Sequence, residues 1–263
     1  DRTGRATWVR TAAETVALLF GKFPVPRAQI LVIPAGGGTT PVVFGLTSRG
    51  GGASVAALGS NTAGEDAFTG EWVLIHEFLH LGMPFLHSRD VWLSEGFVTY
   101  YTGVLRTRAG FRSQLEGWRS IVAGLGRGAR SAPGQTLAEA SAGMHEQHAY
   151  DRVYWGGAAI ALLLDVYLRT QPGEHSLDGG MRQLQDCCAL SPRQWSADEV
   201  LGVFDTFYGS SDVSKICAGE LAKAAFSDLQ AALETLGVEK TEDGVVLDQA
   251  GEKAALRQQI TGR

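Results

Sequence analysis

Cysteine, methionine and lysine are all scarce in this chain of 263 residues. The three cysteines, Cys187, Cys188 and Cys217, permit at most one internal disulfide, which excludes a small domain stapled by several bridges. They stand at no zinc-ligand spacing from any histidine, and their segments read as helical. Buried or half-buried thiols are therefore expected, with a bridge from Cys187 or Cys188 to Cys217 as the alternative. Lysine is outnumbered by arginine, no basic block exists, and the net charge is −5, so nucleic acid and anionic membrane surfaces are poor partners. Long hydrophobic runs are missing too: the longest candidate, residues 158–166, is far too short to span a bilayer. The chain starts at Asp1 and its methionines stand only at 83, 144 and 181. It is expected to be a processed or excised piece of a longer precursor with additional domains, in a compartment the residues leave open.

What is present is ordinary for a globular chain: 44% apolar and 19% charged residues, with glycine high at 34. The length allows a real core, as one large domain or two fused lobes. Apolar residues at helical spacing over 6–20 end before Gly21 and Pro24. Three short β-like runs follow, over 28–33, 41–48 and 53–58, separated by Gly36-Gly37-Gly38 and Gly50-Gly51-Gly52. From residue 94 the chain reads as helical, with segments at 94–108, 111–125, 136–142, 150–169, 176–188, 196–208 and, as one helix or two, 213–236. A Gly/Arg/Pro-rich loop is expected over 126–134, a short strand over 244–247, and then a polar, frayed tail.

One motif organises this pattern. His76-Glu77-Phe78-Leu79-His80 puts two imidazoles four residues apart, on one face of a helix. With six His and fifteen Glu, chance supplies such a His-Glu-x-x-His about 0.01 times per chain of this length. The neighbours Trp72, Val73, Leu74, Ile75, Phe78, Leu79, Leu81 and Met83 are apolar on every side, so the helix is expected to be buried. Polar groups on a buried helix need strong partners, and one zinc ion would supply them. A catalytic zinc site takes three protein ligands and keeps one position open, a count that His76, His80 and Glu95 fill. Glu77 is left beside the open position as a general base. Asp90, and Thr99 one turn after Glu95, are candidates to hydrogen-bond a ligand histidine.

The stretch Asp90-Val91-Trp92-Leu93-Ser94-Glu95-Gly96-Phe97, followed by Thr99-Tyr100-Tyr101, resembles the second zinc segment of the gluzincin metallopeptidases. It is most similar to the glycyl aminopeptidase family, with the aminopeptidase N relatives next. Fourteen residues separate His80 from Glu95, a few fewer than in those families, so the loop 82–89 that carries His87 is shortened. Tyr154-Trp155-Gly156-Gly157 and the helix after it resemble the gluzincin Tyr-x-Lys-Gly segment, with Gly156 in place of lysine. The resemblance implies that the Tyr154 hydroxyl stabilises an oxyanion. It also implies an α+β, mainly α fold, a thermolysin-like zinc peptidase catalytic domain in which a small α/β lobe and a helical lobe enclose a cleft. Within one continuous unit, residues 1–70 form the small lobe, 71–110 the zinc helices, 111–240 the helical lobe and 241–263 the tail.

The activity implied is zinc-dependent hydrolysis of a peptide substrate, aminopeptidase-like by resemblance. An aminopeptidase of this type holds the substrate amine with an acidic residue on a strand before the zinc helix. The corresponding stretch, Phe44-Gly45-Leu46-Thr47-Ser48-Arg49-Gly50, has no carboxylate. Glu65, Asp66 or Glu71 could stand in, while His145 and His148 read as loop residues. Two other readings are a non-catalytic peptide-binding scaffold of the same fold and a zinc hydrolase of a non-peptide amide or ester.

Overall fold

In the computed structural model, which describes residues 2–49, 52–242 and 244–262, helix α1 (Arg2–Phe20) opens the chain. Trp8, Ala12 and Val16, one turn apart, together with Leu19, form its buried stripe, and the Trp8 ring meets Phe68 edge-on at 5.2 Å. Three strands follow: β1 (Gln29–Pro34), β2 (Val42–Ser48) and β3 (Ser54–Gly59). Their order in the sheet is β1-β3-β2, with β1 parallel and β2 antiparallel to β3. Strand β2 thus lies at an edge. Alternation turns its Gly45 and Thr47 toward the helix that follows, while Phe44 and Leu46 stay exposed on the other face.

That helix is α2 (Trp72–His80), joined to β3 by a polar loop and the single 3₁₀ turn Glu65–Phe68. Glu71 caps it, accepting hydrogen bonds from the N–H groups of Val73 (2.7 Å) and Leu74 (3.2 Å). Residues 73–79 are buried, as an apolar belt requires, but Trp72 is half exposed because it occupies the first helical turn at the molecular surface. The short connection from α2 is pinned through a bridge between Leu86 and Trp195 and leads into α3 (Val91–Arg108).

The helical part comprises α4 (Gln114–Arg130), α5 (Leu137–Ala142), α6 (Tyr150–Thr170), α7 (Leu177–Cys188), α8 (Ala197–Tyr208), α9 (Asp212–Leu221) and α10 (Gln230–Thr235). Capping boxes at Ser113, Thr136 and Ser196 open α4, α5 and α8. A hairpin of β4 (Val238–Thr241) and β5 (Gly244–Leu247) precedes α11 (Gly251–Thr261). The architecture is α+β and mainly helical. Among the described residues no helix is long and apolar enough to cross a membrane.

The centre of the core is the crossing of α3 and α6, where backbone meets backbone. A Cβ placed on Gly157 would fall on the Trp92 carbonyl, and one on Gly96 would fall on the Gly157 backbone. Only glycine permits this approach. It brings the first turns of α6 against the segment of α3 that carries Glu95. A buried ionic cluster sits farther along the same two helices. Asp165 accepts hydrogen bonds from Arg169 Nε (2.9 Å), Tyr100 Oη (2.8 Å) and the Leu177 N–H (3.0 Å). Arg108 pairs with Asp178 at 2.8 Å, and Tyr101 donates to Asp178 at 2.9 Å.

Several sequence expectations are corrected here. The helix expected to end at 125 continues to Arg130, because Gly124 and Gly128 seat the Trp155 side chain and the smooth helix face is what the packing needs. The 213–236 stretch is two helices, and β4 supplies a strand partner for β5 that patterning did not reveal. The tail is no frayed end: α11 buries Arg257, Ile260 and Thr261, and Trp118 Nε1 donates to Thr261 Oγ1 at 3.1 Å. Cys187 and Cys188 form a disulfide with each other, so the alternative bridge to Cys217 is not found and the expected buried thiol holds for Cys217 alone, on α9.

Candidate metal centre

The i, i+4 spacing on α2 points His76 and His80 in one direction, toward α3. Their Nε2 atoms lie 3.2 Å apart, and Glu95 Oε2 on α3 lies 3.2 Å from the first and 3.4 Å from the second. Each residue thus offers one donor atom, all within 4.8 Å of one another. The edge of a tetrahedron drawn with zinc–nitrogen and zinc–oxygen bonds of usual length is about 3.3–3.4 Å. The three separations match that edge, so the donor set fits one zinc ion with a fourth corner free.

Electrostatics within the group are strongly coupled. Burial pushes the Glu95 carboxyl up, but the two imidazoles outweigh it and hold the group well below the usual carboxylate range. Burial pulls the His80 imidazolium down, and the Glu95 and Glu77 carboxylates outweigh that in turn, leaving it raised. Glu95 is therefore ionised at neutral pH, as a ligand must be.

Glu77 points from the same helix toward β2, not into the donor triangle. Its Oε2 accepts a hydrogen bond from Thr47 Oγ1 at 2.8 Å. A Cβ at Gly45 would come within 2.6 Å of Glu77 Cγ and 2.8 Å of its Oε1, so the bare strand is what gives this carboxylate room. Tyr154, one turn into α6, stacks parallel to the His76 ring with centroids 5.9 Å apart. Burial first, and the Glu95 carboxylate second, raise its hydroxyl well above the usual phenol range, so it remains a proton donor at neutral pH. Trp72 closes another side, its half-exposed ring edge-on to His76 at 5.9 Å.

The remaining predicted residues lie elsewhere. Asp90 does not reach a histidine: its Oδ2 accepts from the Ala197 N–H (3.1 Å), at the start of α8, and lies 3.7 Å from Arg89. Thr99 Oγ1 is buried with no hydrogen-bond partner among the described residues. The hydroxyl beside His76 belongs to Thr102, 3.4 Å from Nδ1. Thr102 follows Glu95 by two full turns and so returns to the same side of α3, a signal the sequence held. Thr47 was not legible, since only the strand-to-helix packing brings it to Glu77. Of the acids considered for a substrate amine, Glu71 is buried and occupied as the α2 cap, while Glu65 and Asp66 sit exposed on the 3₁₀ turn. His145 and His148 are exposed loop residues beside Tyr150. His87 uses its backbone N–H to bond the Trp195 carbonyl.

No protein-family model matches this chain, and no curated protein matches it. Among solved structures, the crystal structure of an aminopeptidase N family protein from Idiomarina loihiensis is similar over 96% of this chain, with a TM-score of 0.69 and 19% sequence identity. The chain spans 49% of that protein's length. Over 96% of its length the chain thus shares its fold with about half of an aminopeptidase N family protein, as a distant structural relative.

Proposed function

We propose that this chain is a zinc-dependent peptidase whose cleft lies between a small α/β lobe and a helical lobe, in a thermolysin-like arrangement. The observation that carries this reading is the donor triangle of His76, His80 and Glu95, with edges of 3.2, 3.2 and 3.4 Å, next to a carboxylate that is not part of it. A non-catalytic zinc site has no use for that carboxylate. Bound zinc would supply Lewis acidity toward a water and a carbonyl oxygen. The chain's own groups do the rest. Glu77 takes a proton from the attacking water, whose oxygen bonds to the carbonyl carbon, and passes it to the amide nitrogen as the C–N bond breaks. The Tyr154 hydroxyl, held protonated, donates to the oxygen that gains negative charge. The products are a carboxylate and an amine. The aminopeptidase N-like fold supports a peptide as the substrate.

Digestion of a mixed peptide library tests the proposal. Protein reconstituted with one equivalent of zinc should cut it, chelator should abolish cutting, and added zinc should restore it. A zinc-loaded protein that leaves the library untouched would overturn the reading.

Thr47 has a defined part in this scheme. Its hydroxyl fixes Glu77 from β2 while also lying 2.8 Å from the Glu77 carbonyl oxygen. Thr47→Val should lower kcat roughly tenfold, the worth of one hydrogen bond of about 1.4 kcal/mol, with KM and zinc content little changed. Thr47→Ser should recover most of that loss. A valine variant with wild-type kcat would show that the bond does not position the base.

A further inference from the structure

The charges around the donor triangle have a consequence for the kind of chain the cleft accepts. Arg49 follows the last residue of β2, the strand that packs on Glu77. Its guanidinium is half buried, donating one hydrogen bond to the Ala189 carbonyl at 2.7 Å and another to the carbonyl of His80. The second bond sets the guanidinium at the C-terminal end of α2, the end that carries His80. Among the described residues, the acids nearby each already hold a partner. Glu95 faces both histidines, Glu77 is held by Thr47, Glu71 has its two oxygens on backbone N–H groups of α2, and Asp90 caps α8. A substrate ammonium brought to this side would lose its hydration, meet among the described residues only carboxylates that already hold a partner, and face a fixed cation. Such like-charge juxtaposition works against binding.

We propose that the cleft takes peptide chains with no free ammonium next to the scissile bond, cutting internal or N-acylated amide bonds in place of removing first residues. This rests on the zinc-peptidase reading above and adds the substrate class. The half-exposed Trp72 ring beside His76 makes an apolar or aromatic residue the fitting neighbour of the cut bond.

A matched pair of peptides with uncharged side chains, identical except for an acetyl group on the N-terminus and with aromatic residues throughout, decides the matter. With zinc-loaded wild type, mass spectrometry should show internal cuts in both peptides. At bonds close to the N-terminus, kcat/KM should be about tenfold higher for the acetylated form. Stepwise loss of first residues from the free peptide, with the acetylated one intact, would overturn this proposal and leave the peptidase reading standing. If neither is cut, the peptidase reading falls and takes this proposal with it. In folded Arg49→Gln the acetyl preference should shrink toward one, and an unchanged ratio would overturn the charge argument.

Discussion

Glu77→Gln should keep its zinc and lose peptide hydrolysis by about 10³-fold or more, within the range that a positioned general base contributes together with its second proton transfer. The substitution is nearly isosteric. An amide oxygen can still accept the Thr47 hydrogen bond, and Gly45 leaves the same room, so the strand-to-helix contact survives. What disappears is the capacity to take a proton. The donor triangle does not include Glu77, so metal content, measured by elemental analysis of purified protein, should equal that of wild type. Single-turnover cleavage of a peptide then reads the chemical step. Undiminished cleavage would assign the base elsewhere, and loss of metal along with activity would mean that Glu77 supports the donor set.

The second large effect is on stability. Asp165 is fully buried and gathers Arg169, Tyr100 and the Leu177 N–H in one place. Asp165→Ala leaves the Tyr100 phenol without its acceptor and the Arg169 guanidinium with only the more distant Asp178, 3.7 Å away, and removing one partner of a buried ion pair costs about 3–5 kcal/mol. For a chain of this size the melting temperature should fall by roughly 10 °C. Asp165→Asn, which can still accept from Tyr100 and Leu177, should lose less. Replacing Asp165 and Arg169 together by Leu and Met should recover part of the loss, because the cost lies in the abandoned charge more than in the absent pair. Thermal unfolding followed by circular dichroism checks the order, and an Asp165→Ala protein as stable as wild type would show that the cluster relaxes around the gap.

What the sequence made legible was local. A spacing of four within an apolar belt says which way two histidines point, and a capping box such as Ser196-Ala197-Asp198-Glu199 says where a helix starts. Residues whose role depends on another element were harder to read. Asp90 has the composition of a histidine partner, yet its position at the head of α3 faces α8, so it caps that helix. Thr99 and Thr102 both lie near the Glu95 side of α3, and only the crossing with α2 selects Thr102. The helix end at Arg130 and the α11 segment were missed for a related reason. Glycine and polar residues argue locally for loops, but Gly124 and Gly128 receive Trp155, and α11 buries the polar Arg257 and Thr261 together with Ile260. Arg49 shows the same limit at the cleft, since its two acceptors lie on α2 and beyond α7.

The seat of α11 also constrains the order in which the molecule can finish folding. At one end of α3 stands Glu95; near the other, Arg108 donates to the Ile260 carbonyl at 2.7 Å and pairs with Asp178. Helix α1, from the opposite end of the chain, packs against α2, α3 and α7. The helix that carries the third donor is therefore gripped by two segments far apart in sequence, α1 and α11. During synthesis the early lobe can collapse, but α3 cannot bury its basic end until residues past 250 have left the ribosome. Docking of the basic end of α3 should accordingly wait for α11, because that contact spans 152 residues of sequence.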